Sequence, residues 1–296
     1  MFVEAFHHAG IGPWSRRWGR WLCVLLLSLG VGGVLRAEPA FELAVFPYLS
    51  TRALFGLYAP LREALQDALG RPVVLVTAAD FRSFFESARH GEYPLIGIAP
   101  HGARLMQREA GYVPLASARR ELHPCLVVAA DSPLQRLSDL RGTRLATPDR
   151  LAIVNSLARR ALHDAGLDVA RELTFHEYPS HSAVLAAVLQ GDVQVGVLSS
   201  TVWLRTSPAE REGLRLLAEL HIEPPIPPMM FLARGDLPPT LQAQLRQVLL
   251  GFADTPAGAE FMRRSGHIGY REPSTEELRS LDDAAEELAR ALDAAP

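Results

Sequence analysis

The sequence predicts an α/β fold, in which strands and helices alternate along the chain. Three observations carry this prediction. Short apolar runs of strand length recur, segments with helical apolar spacing lie between them, and glycines stand where several of those helices would end. Most of the apolar runs are continuous rather than alternating, which is typical of strands covered on both faces in a largely parallel sheet.

The first 37 residues are set apart from the fold by their composition. Residues 21–35 form an apolar run that follows arginines at positions 16, 17 and 20 and ends just before Ala37. This is the pattern of a secretory signal peptide, cleaved after a small residue. An uncleaved N-terminal anchor is the alternative, although the run falls short of the roughly 20 apolar residues that cross a membrane.

Charge and composition exclude a nucleic-acid partner. Of the 30 basic and 33 acidic residues, four arginines and one glutamate precede residue 38, so the remainder is net acidic, whereas nucleic-acid binding needs a basic face. A hydrophobic content of 48% is enough for one large or two medium lobes. Because Cys23 lies in the predicted signal, Cys125 is alone, and it is either a packed apolar residue or a thiol ligand.

Eight apolar runs predict the strands, and helices are expected between them. Four leucines from Leu54 to Leu65 share one helical face, and Pro60 is expected to kink or restart that helix. Three later helices are expected to end at Gly91, Gly166 and Gly191. The predicted strands are residues 41–46, 72–77, 94–99, 125–130, 143–147, 173–178, 193–198 and 229–234.

The residues that follow these strands predict a binding site. In open α/β sheets, ligands bind at the carboxyl ends of the strands. Several of the segments there also open a helix, where free N–H groups and the positive helix end favour an anion. For each Ser or Thr among them, helix capping is the alternative role. The segments are residues 47–51, 77–81, 100–101, 148–155, 179–182 and 199–203.

The order of these motifs resembles a known family. The stretch AVFPYLSTRALFGLY, followed by LSDLRGTRLAT, YPSHSAVLAAVLQGDVQVGVL and MMFLARGDLPPT, is similar to the periplasmic phosphate, phosphite and phosphonate-binding proteins of ABC transporters. The resemblance implies a two-lobed type 2 periplasmic binding protein fold with two hinge crossovers. Lobe 1 would comprise residues 38–122 and 224–296, and lobe 2 residues 123–223. It also implies a periplasmic location and closure on a small anion.

The resemblance also implies roles for individual residues. Tyr48 would contact the ligand head group, and the loops at Phe81 and at Pro100 and His101 would face the cleft. His181 falls on the family's Ser-His motif, which offers a hydroxyl and an imidazole to oxyanion oxygens. With the hydroxyls at the strand ends and the residues around the lone thiol, the predicted ligand-binding residues are Tyr48, Ser50, Thr51, Phe81, Pro100, His101, His123, Cys125, Asn155, Ser180, His181, Ser200 and Thr201.

Three differences from the family pattern bear on the ligand. The hydroxyl-rich start of a second-lobe helix is replaced by DRLAIVNS, which places Ala152, Ile153 and Val154 where hydroxyls are expected. The carboxylates that hold an aminoalkyl group are replaced by SSTVW and PPMM, so a ligand ammonium has no evident partner. Cys125 stands near the position of an aromatic or hydroxyl residue.

These differences leave two interpretations of the ligand. The pocket holds a less charged solute, with Trp203, Met229 and Met230 replacing polar groups, or it holds a thiophilic oxyanion such as arsenite, bound by Cys125 with His123 or His101. The predicted role is delivery of the ligand to an ABC permease, and a sensor of the same fold that docks on a histidine kinase is the alternative. Either way, the only contact with a membrane is through the partner.

An enzyme is not predicted, and neither a cofactor nor a metal is. The sequence has no GxSxG elbow, P-loop or HExxH motif. Pro179 separates His176 from His181, so these two histidines cannot share one helical face as metal ligands.

Overall fold

The computed structural model describes residues 39–294, of which residues 40–294 belong to one compact unit. The predicted signal peptide lies outside the described residues. Eleven strands form two mixed sheets within this range. The strands are β1 (Phe41–Val45), β2 (Val73–Val76), β3 (Leu95–Ile98), β4 (Val113–Ala118), β5 (Pro124–Ala129), β6 (Arg144–Pro148), β7 (Thr174–Tyr178), β8 (Val195–Ser199), β9 (Leu214–Glu219), β10 (Met230–Ala233) and β11 (Tyr270–Arg271).

Twelve α-helices connect these strands within the described range, and two short 3-10 turns, Leu137–Leu140 and Phe252–Asp254, accompany them. The helices are α1 (Thr51–Leu69), α2 (Phe81–Arg89), α3 (Pro100–Glu109), α4 (Ile153–Asp164), α5 (Val169–Glu172), α6 (His181–Leu189), α7 (Ser200–Arg205), α8 (Pro208–Arg211), α9 (Pro239–Gly251), α10 (Pro256–Ser265), α11 (Thr275–Ser280) and α12 (Asp282–Asp293).

The two sheets share a common plan. The first has the strand order β11-β4-β10-β3-β1-β2 and the second the order β7-β6-β8-β5-β9. In each sheet, the strands joined by crossover helices pair in parallel. The strands through which the chain passes to or from the other sheet pair antiparallel. The expectation of largely parallel sheets is therefore wrong, because β4, β5, β9, β10 and β11 all pair antiparallel.

The chain passes from the first sheet to the second between β4 and β5, and returns between β9 and β10. The two connections are tied together, because the Leu122 N–H donates to the Ile226 carbonyl at 2.8 Å and the Leu220 N–H donates to the Pro124 carbonyl at 2.8 Å. The predicted lobe boundaries, at residues 122/123 and 223/224, fall inside these connections. The assignment of residues to lobes remains a prediction.

All eight predicted strands are present with ends shifted by one or two residues, and three strands were not predicted. The central strands are fully buried on both faces, as their continuous apolar sequences indicate. Gly91, Gly166 and Gly191 adopt positive φ angles just beyond helices. Of the two alternatives for Pro60, a restart of the helix is wrong, because α1 runs unbroken through it, and a kink there stays a prediction.

The C-terminal helices pack on the first sheet's side of the molecule. Ser274 caps α11 by accepting the Glu277 N–H at 3.0 Å, as the Ser-x-x-Glu pattern indicates. Beyond it, α12 packs on α3, where Arg104 Nε lies 2.6 Å from Asp282 Oδ1. No helix among the described residues is long and apolar enough to cross a membrane.

Candidate ligand-binding cavity

A small cavity lies where the two sheets face each other. The space that the centre of a water molecule can occupy in it is about 40 Å³. A single water needs about 10–15 Å³ on this scale, so the cavity has room for about three waters or one small solute. It is lined by Phe46, Tyr48, Phe81, Ala99, Leu122, Ala152, Ile153, Val154, His181, Ser199, Thr201, Pro228, Met229 and His267.

Several helices begin at the cavity wall. Phe81 is the first residue of α2, Ala99 caps α3, Ile153 opens α4 and His181 opens α6, while Thr201 lies in the first turn of α7. The first N–H groups of a helix have no partner within the helix, and the helix dipole adds positive charge at that end. These helix starts therefore give the cavity wall a positive character that favours an anion.

Two hydrogen bonds join the first sheet's side of the molecule to the second sheet's side, one in the cavity wall and one outside it. The His181 N–H donates to the Tyr48 carbonyl oxygen at 3.3 Å. Outside the wall, His101 Nε2 donates to the Leu151 carbonyl oxygen at 3.0 Å. Each bond links a residue that follows a strand of the first sheet to a residue that follows a strand of the second. The described arrangement is therefore that of a closed cleft.

Tyr48 is held by aromatic and hydroxyl contacts. Its ring stacks on Phe46 at 4.7 Å between centroids. Its hydroxyl lies 3.2 Å from the Tyr58 hydroxyl, which in turn donates to Met229 Sδ at 3.2 Å. Burial raises the pKa of both Tyr48 and Tyr58, so each keeps its proton at neutral pH. Tyr48 can therefore offer the cavity a neutral hydroxyl.

Two neutral histidines face the cavity from different parts of the chain. Burial, with the charge of Arg205, lowers the pKa of His181 to about 3. Burial, with the charge of Arg120, lowers the pKa of His267 to about 4. The hydroxyls of Ser199 and Thr201 lie 3.2 Å apart beside them. At neutral pH the wall thus presents uncharged polar groups, with two arginine charges behind it.

No Asp, Glu, Arg or Lys is among the described residues that line the cavity. The rest of the wall is aliphatic, aromatic or sulfur-containing. An uncharged wall at helix starts suits an anion with a small apolar substituent, and it offers no carboxylate to an ammonium group. Within residues 39–294, no group of three or more His, Cys, Asp or Glu residues is arranged to hold a metal ion.

Of the predicted site residues, four line the cavity and nine do not. Tyr48, Phe81, His181 and Thr201 are in the wall, as are the predicted replacements Ala152, Ile153 and Val154. Met229 also lines the cavity, whereas Met230 lies within β10 and Trp203 packs under the guanidinium of Arg211. The predicted residues outside the wall are Ser50, Thr51, Pro100, His101, His123, Cys125, Asn155, Ser180 and Ser200.

Several of these nine have structural contacts of their own. Ser180 caps α6, and the Ser200 hydroxyl donates to the Glu121 carbonyl at 3.2 Å. Asn155 Nδ2 donates to Thr147 Oγ1 at 3.1 Å. His123 stacks edge-on with His221 at 4.8 Å between centroids. Ser50 and Thr51 are exposed at the start of α1, and Pro100 is buried as the first residue of α3.

Cys125 lies inside β5, between β8 and β9, and is 1% exposed. Burial, with the charge of Glu219, raises the pKa of its thiol to about 12. A thiol that stays protonated is a poor nucleophile and metal ligand. The structure does not bring Cys125 to the cavity.

Sequence reasoning missed Ala99, Leu122 and His267 as wall residues, and it placed Pro228 near the ligand only as part of the PPMM stretch. Leu122 and Pro228 belong to the two connections between the sheets, where no strand end marks them. His267 follows α10, and the one local signal is the preceding Gly266, whose φ is +77°. That signal marks a helix end but does not indicate which way the next side chain points.

Residues 43–278 match the family described as ABC transporter, phosphonate, periplasmic substrate-binding protein. The chain belongs to this family. The members are periplasmic solute-binding proteins rather than enzymes, with a small-molecule ligand and a transporter as partner. The match does not support docking on a sensor kinase.

Solved structures show the same fold. PhnD1 from Prochlorococcus marinus in complex with methylphosphonate is 17% identical, with a TM-score of 0.69, covering 86% of this chain and 98% of that one. A Xanthomonas citri protein solved with chloride is 22% identical, with a TM-score of 0.65 and coverage of 86% and 99%. The aliphatic sulphonate-binding protein SsuA from Escherichia coli is 16% identical, with a TM-score of 0.58 and coverage of 86% and 94%. The type 2 periplasmic binding protein fold is thereby confirmed.

Proposed function

We propose that this protein captures a small oxyanion, a phosphonate, phosphite or sulfonate with a small uncharged substituent, and delivers it to an ABC transporter. The observation that carries the proposal is the meeting of several helix starts at one small cavity that no carboxylate lines. The N–H groups of Ile153 and Val154 at α4 and of Ser182 at α6, which have no partner among the described residues, would hold the anionic oxygens. Tyr48, Thr201 and His181 would add side-chain donors.

The size of the cavity limits the ligand. Space for about three waters suits a tetrahedral oxyanion and little more. The aliphatic part of the wall, made by Ala152, Ile153, Val154 and Met229, suits a hydrogen atom or a methyl group on the ligand. An aminoalkyl phosphonate would bury its ammonium without a carboxylate partner, and an unpaired buried charge is strongly unfavourable.

Calorimetric titration of the protein, in the form that begins after residue 37, tests this proposal. We expect binding of methylphosphonate, phosphite or methanesulfonate, and at least about 10-fold weaker binding of 2-aminoethylphosphonate. A matched thermal-unfolding series should show stabilisation of about 2.7 kcal/mol at a hundredfold excess over the dissociation constant. Tight binding of the aminoalkyl compound, or no binding of any of these anions, would contradict the proposal.

The arsenite alternative is tested in the same titration. Because Cys125 is buried away from the cavity, we expect Cys125→Ser to leave the affinity for methylphosphonate unchanged. The variant and the wild-type protein should also give the same result when titrated with arsenite. Arsenite binding that disappears in Cys125→Ser would instead favour a thiol ligand.

A further inference from the structure

His267 enters the cavity from a part of the chain that lies outside every predicted binding segment. Gly266 ends α10 with a φ of +77°, and a Cβ placed there would lie 2.6 Å from the Thr201 carbonyl oxygen. The turn therefore rests directly against the start of α7. This contact holds His267 at the wall, where it is 5% exposed and tilted against Tyr270.

Neither ring nitrogen of His267 or His181 has a hydrogen-bond partner among residues 39–294, and Nδ1 of both is buried. A neutral imidazole carries one N–H donor and one bare acceptor nitrogen, whichever tautomer it adopts. The two rings therefore give the site two unused acceptors as well as two unused donors. A buried polar atom without a partner is unfavourable, so a ligand that pairs with such an acceptor is favoured.

The other polar groups of the wall are hydroxyls, which also donate and accept. They belong to Tyr48, Ser199 and Thr201. The titratable and charged groups around the cavity are His181, Tyr48, Tyr58 and Tyr270, with Arg120 and Arg205 behind them. Among these described groups no carboxylate faces His267, so the imidazole is an acceptor available to a ligand hydrogen.

The positions of the two histidines separate their roles. His181 is the first residue of α6, where Tyr48 and Ser180 accept the N–H groups of His181 and Ala183, and the Ser182 N–H stays available to an anionic oxygen. His267 stands beyond the end of a helix, and its own N–H donates to Ser265 Oγ at 3.3 Å. The backbone N–H of His267 is therefore already used, and the imidazole is the polar group that this turn offers to a ligand oxygen.

We propose that His267 makes this site selective for a singly protonated phosphonate or phosphite, a monoanion that keeps one P–O–H group, over a sulfonate, whose oxygens carry no hydrogen. The P–O–H group would donate to the imidazole, and the charged oxygens would face the helix starts. This inference rests on the proposed function, because it requires an oxyanion in this cavity.

Methylphosphonate and methanesulfonate are a suitable pair of probes because they have nearly the same shape. Calorimetry at about pH 5.5 should show methylphosphonate binding at least about 10-fold more tightly. Near pH 8.5 this advantage should shrink, because the second phosphoryl proton, with a pKa near 6 in phosphorylated side chains, is then lost from the ligand. Methanesulfonate affinity should change little over the same range.

Two variants assign the effect to His267. His267→Leu removes the acceptor, and we expect it to bring the two affinities within about 3-fold of each other. His267→Asn keeps a donor and an acceptor and should retain most of the preference. The exposed His163, replaced as His163→Asn, is the matched control and should behave as the wild type. Because the readout is a ratio within one variant, a general loss of stability does not imitate the effect.

The outcomes separate this inference from the proposed function. If the wild-type protein binds both probes equally well, or if His267→Leu keeps the preference, the selectivity proposal is overturned while the function stands. If none of the small oxyanions binds to the wild-type protein, both proposals fail.

Discussion

The backbone N–H of His181 donates to the carbonyl oxygen of Tyr48 at 3.3 Å and joins the two walls of the cavity. Tyr48 follows β1 of the first sheet, and His181 opens α6 beside the second. The same two residues carry side chains that face the cavity. Closure of the cleft and presentation of its polar groups therefore depend on one local arrangement, and a ligand that contacts both side chains would favour the closed form.

Removing the Tyr48 hydroxyl should weaken anion binding. We expect Tyr48→Phe to lower methylphosphonate affinity by about 10-fold, because the Tyr48 hydroxyl, whose hydrogen would turn from Tyr58 to the bound anion, is lost. Tyr58→Phe is the matched control, because the Tyr58 hydroxyl is hydrogen-bonded to that of Tyr48 but Tyr58 does not line the cavity. Calorimetry should show the larger affinity loss for Tyr48→Phe, and equal losses would mean that Tyr48 acts only by packing.

Adding a hydroxyl at the start of α4 should strengthen anion binding. Val154 lines the cavity in the first turn of α4, and threonine has nearly its shape. We expect Val154→Thr to lower the stability of the ligand-free protein by about 1 kcal/mol, because the new hydroxyl is buried without a partner. Ligand-induced stabilisation should be larger than in the wild type.

Val154→Ala is the control for this change, since it alters the same position without a polar group. Thermal unfolding with and without methylphosphonate compares the three proteins. Similar ligand effects in Val154→Thr and Val154→Ala would show that the anion does not lie at this helix start.

The buried His101 should make stability depend on pH. Burial lowers its pKa from 6.5 to about 4 in the folded protein. Below about pH 6.5 the unfolded chain therefore binds a proton that the folded chain does not, and stability falls as the pH falls towards about 4. For a shift of this size the loss by about pH 5 is about 2 kcal/mol.

Chemical unfolding at about pH 7 and about pH 5 checks this dependence. His101→Gln keeps a donor towards the Leu151 carbonyl but cannot be protonated in this range, so the difference between the two pH values should shrink. His163→Gln, at an exposed site, should leave it unchanged. An unaltered difference in His101→Gln would contradict the prediction.

Gly266 should be more sensitive to substitution than a glycine of similar backbone conformation. Gly166 has a φ of +86° with open space around its Cβ position, whereas a Cβ at Gly266 would lie 2.6 Å from the Thr201 carbonyl. We expect Gly166→Ala to lose about 1 kcal/mol of stability through the left-handed φ alone. Gly266→Ala should lose more and should also bind methylphosphonate more weakly, because His267 is displaced. Chemical denaturation compares the stability of the two variants. If both lost the same stability and Gly266→Ala bound methylphosphonate as tightly as the wild type, the role of this contact would be contradicted.

Much of the fold could be predicted because it depends on local pattern. Continuous apolar runs such as LIGI in β3 and glycines such as Gly91 indicate strands and helix ends by themselves. Strands β4 and β9 were missed for a physical reason. The sequence of β4 contains Pro114 and Ser117, and LRLLAE in β9 favours a helix, yet pairing with β10 and β5 makes both of them strands.

The sequence by itself determined the alternation of strands and helices, the family, and the presence of Tyr48 and His181 among the residues that line the cavity, since these follow from spacing and motif. Only the tertiary structure decided that Cys125 lies between two strands while His267 joins the cavity wall. Strand pairing sets where a side chain of β5 lies, and a turn pressed against α7 brings His267 to residues distant in sequence. Such contacts leave no signal in the local sequence because both partners are needed to define them.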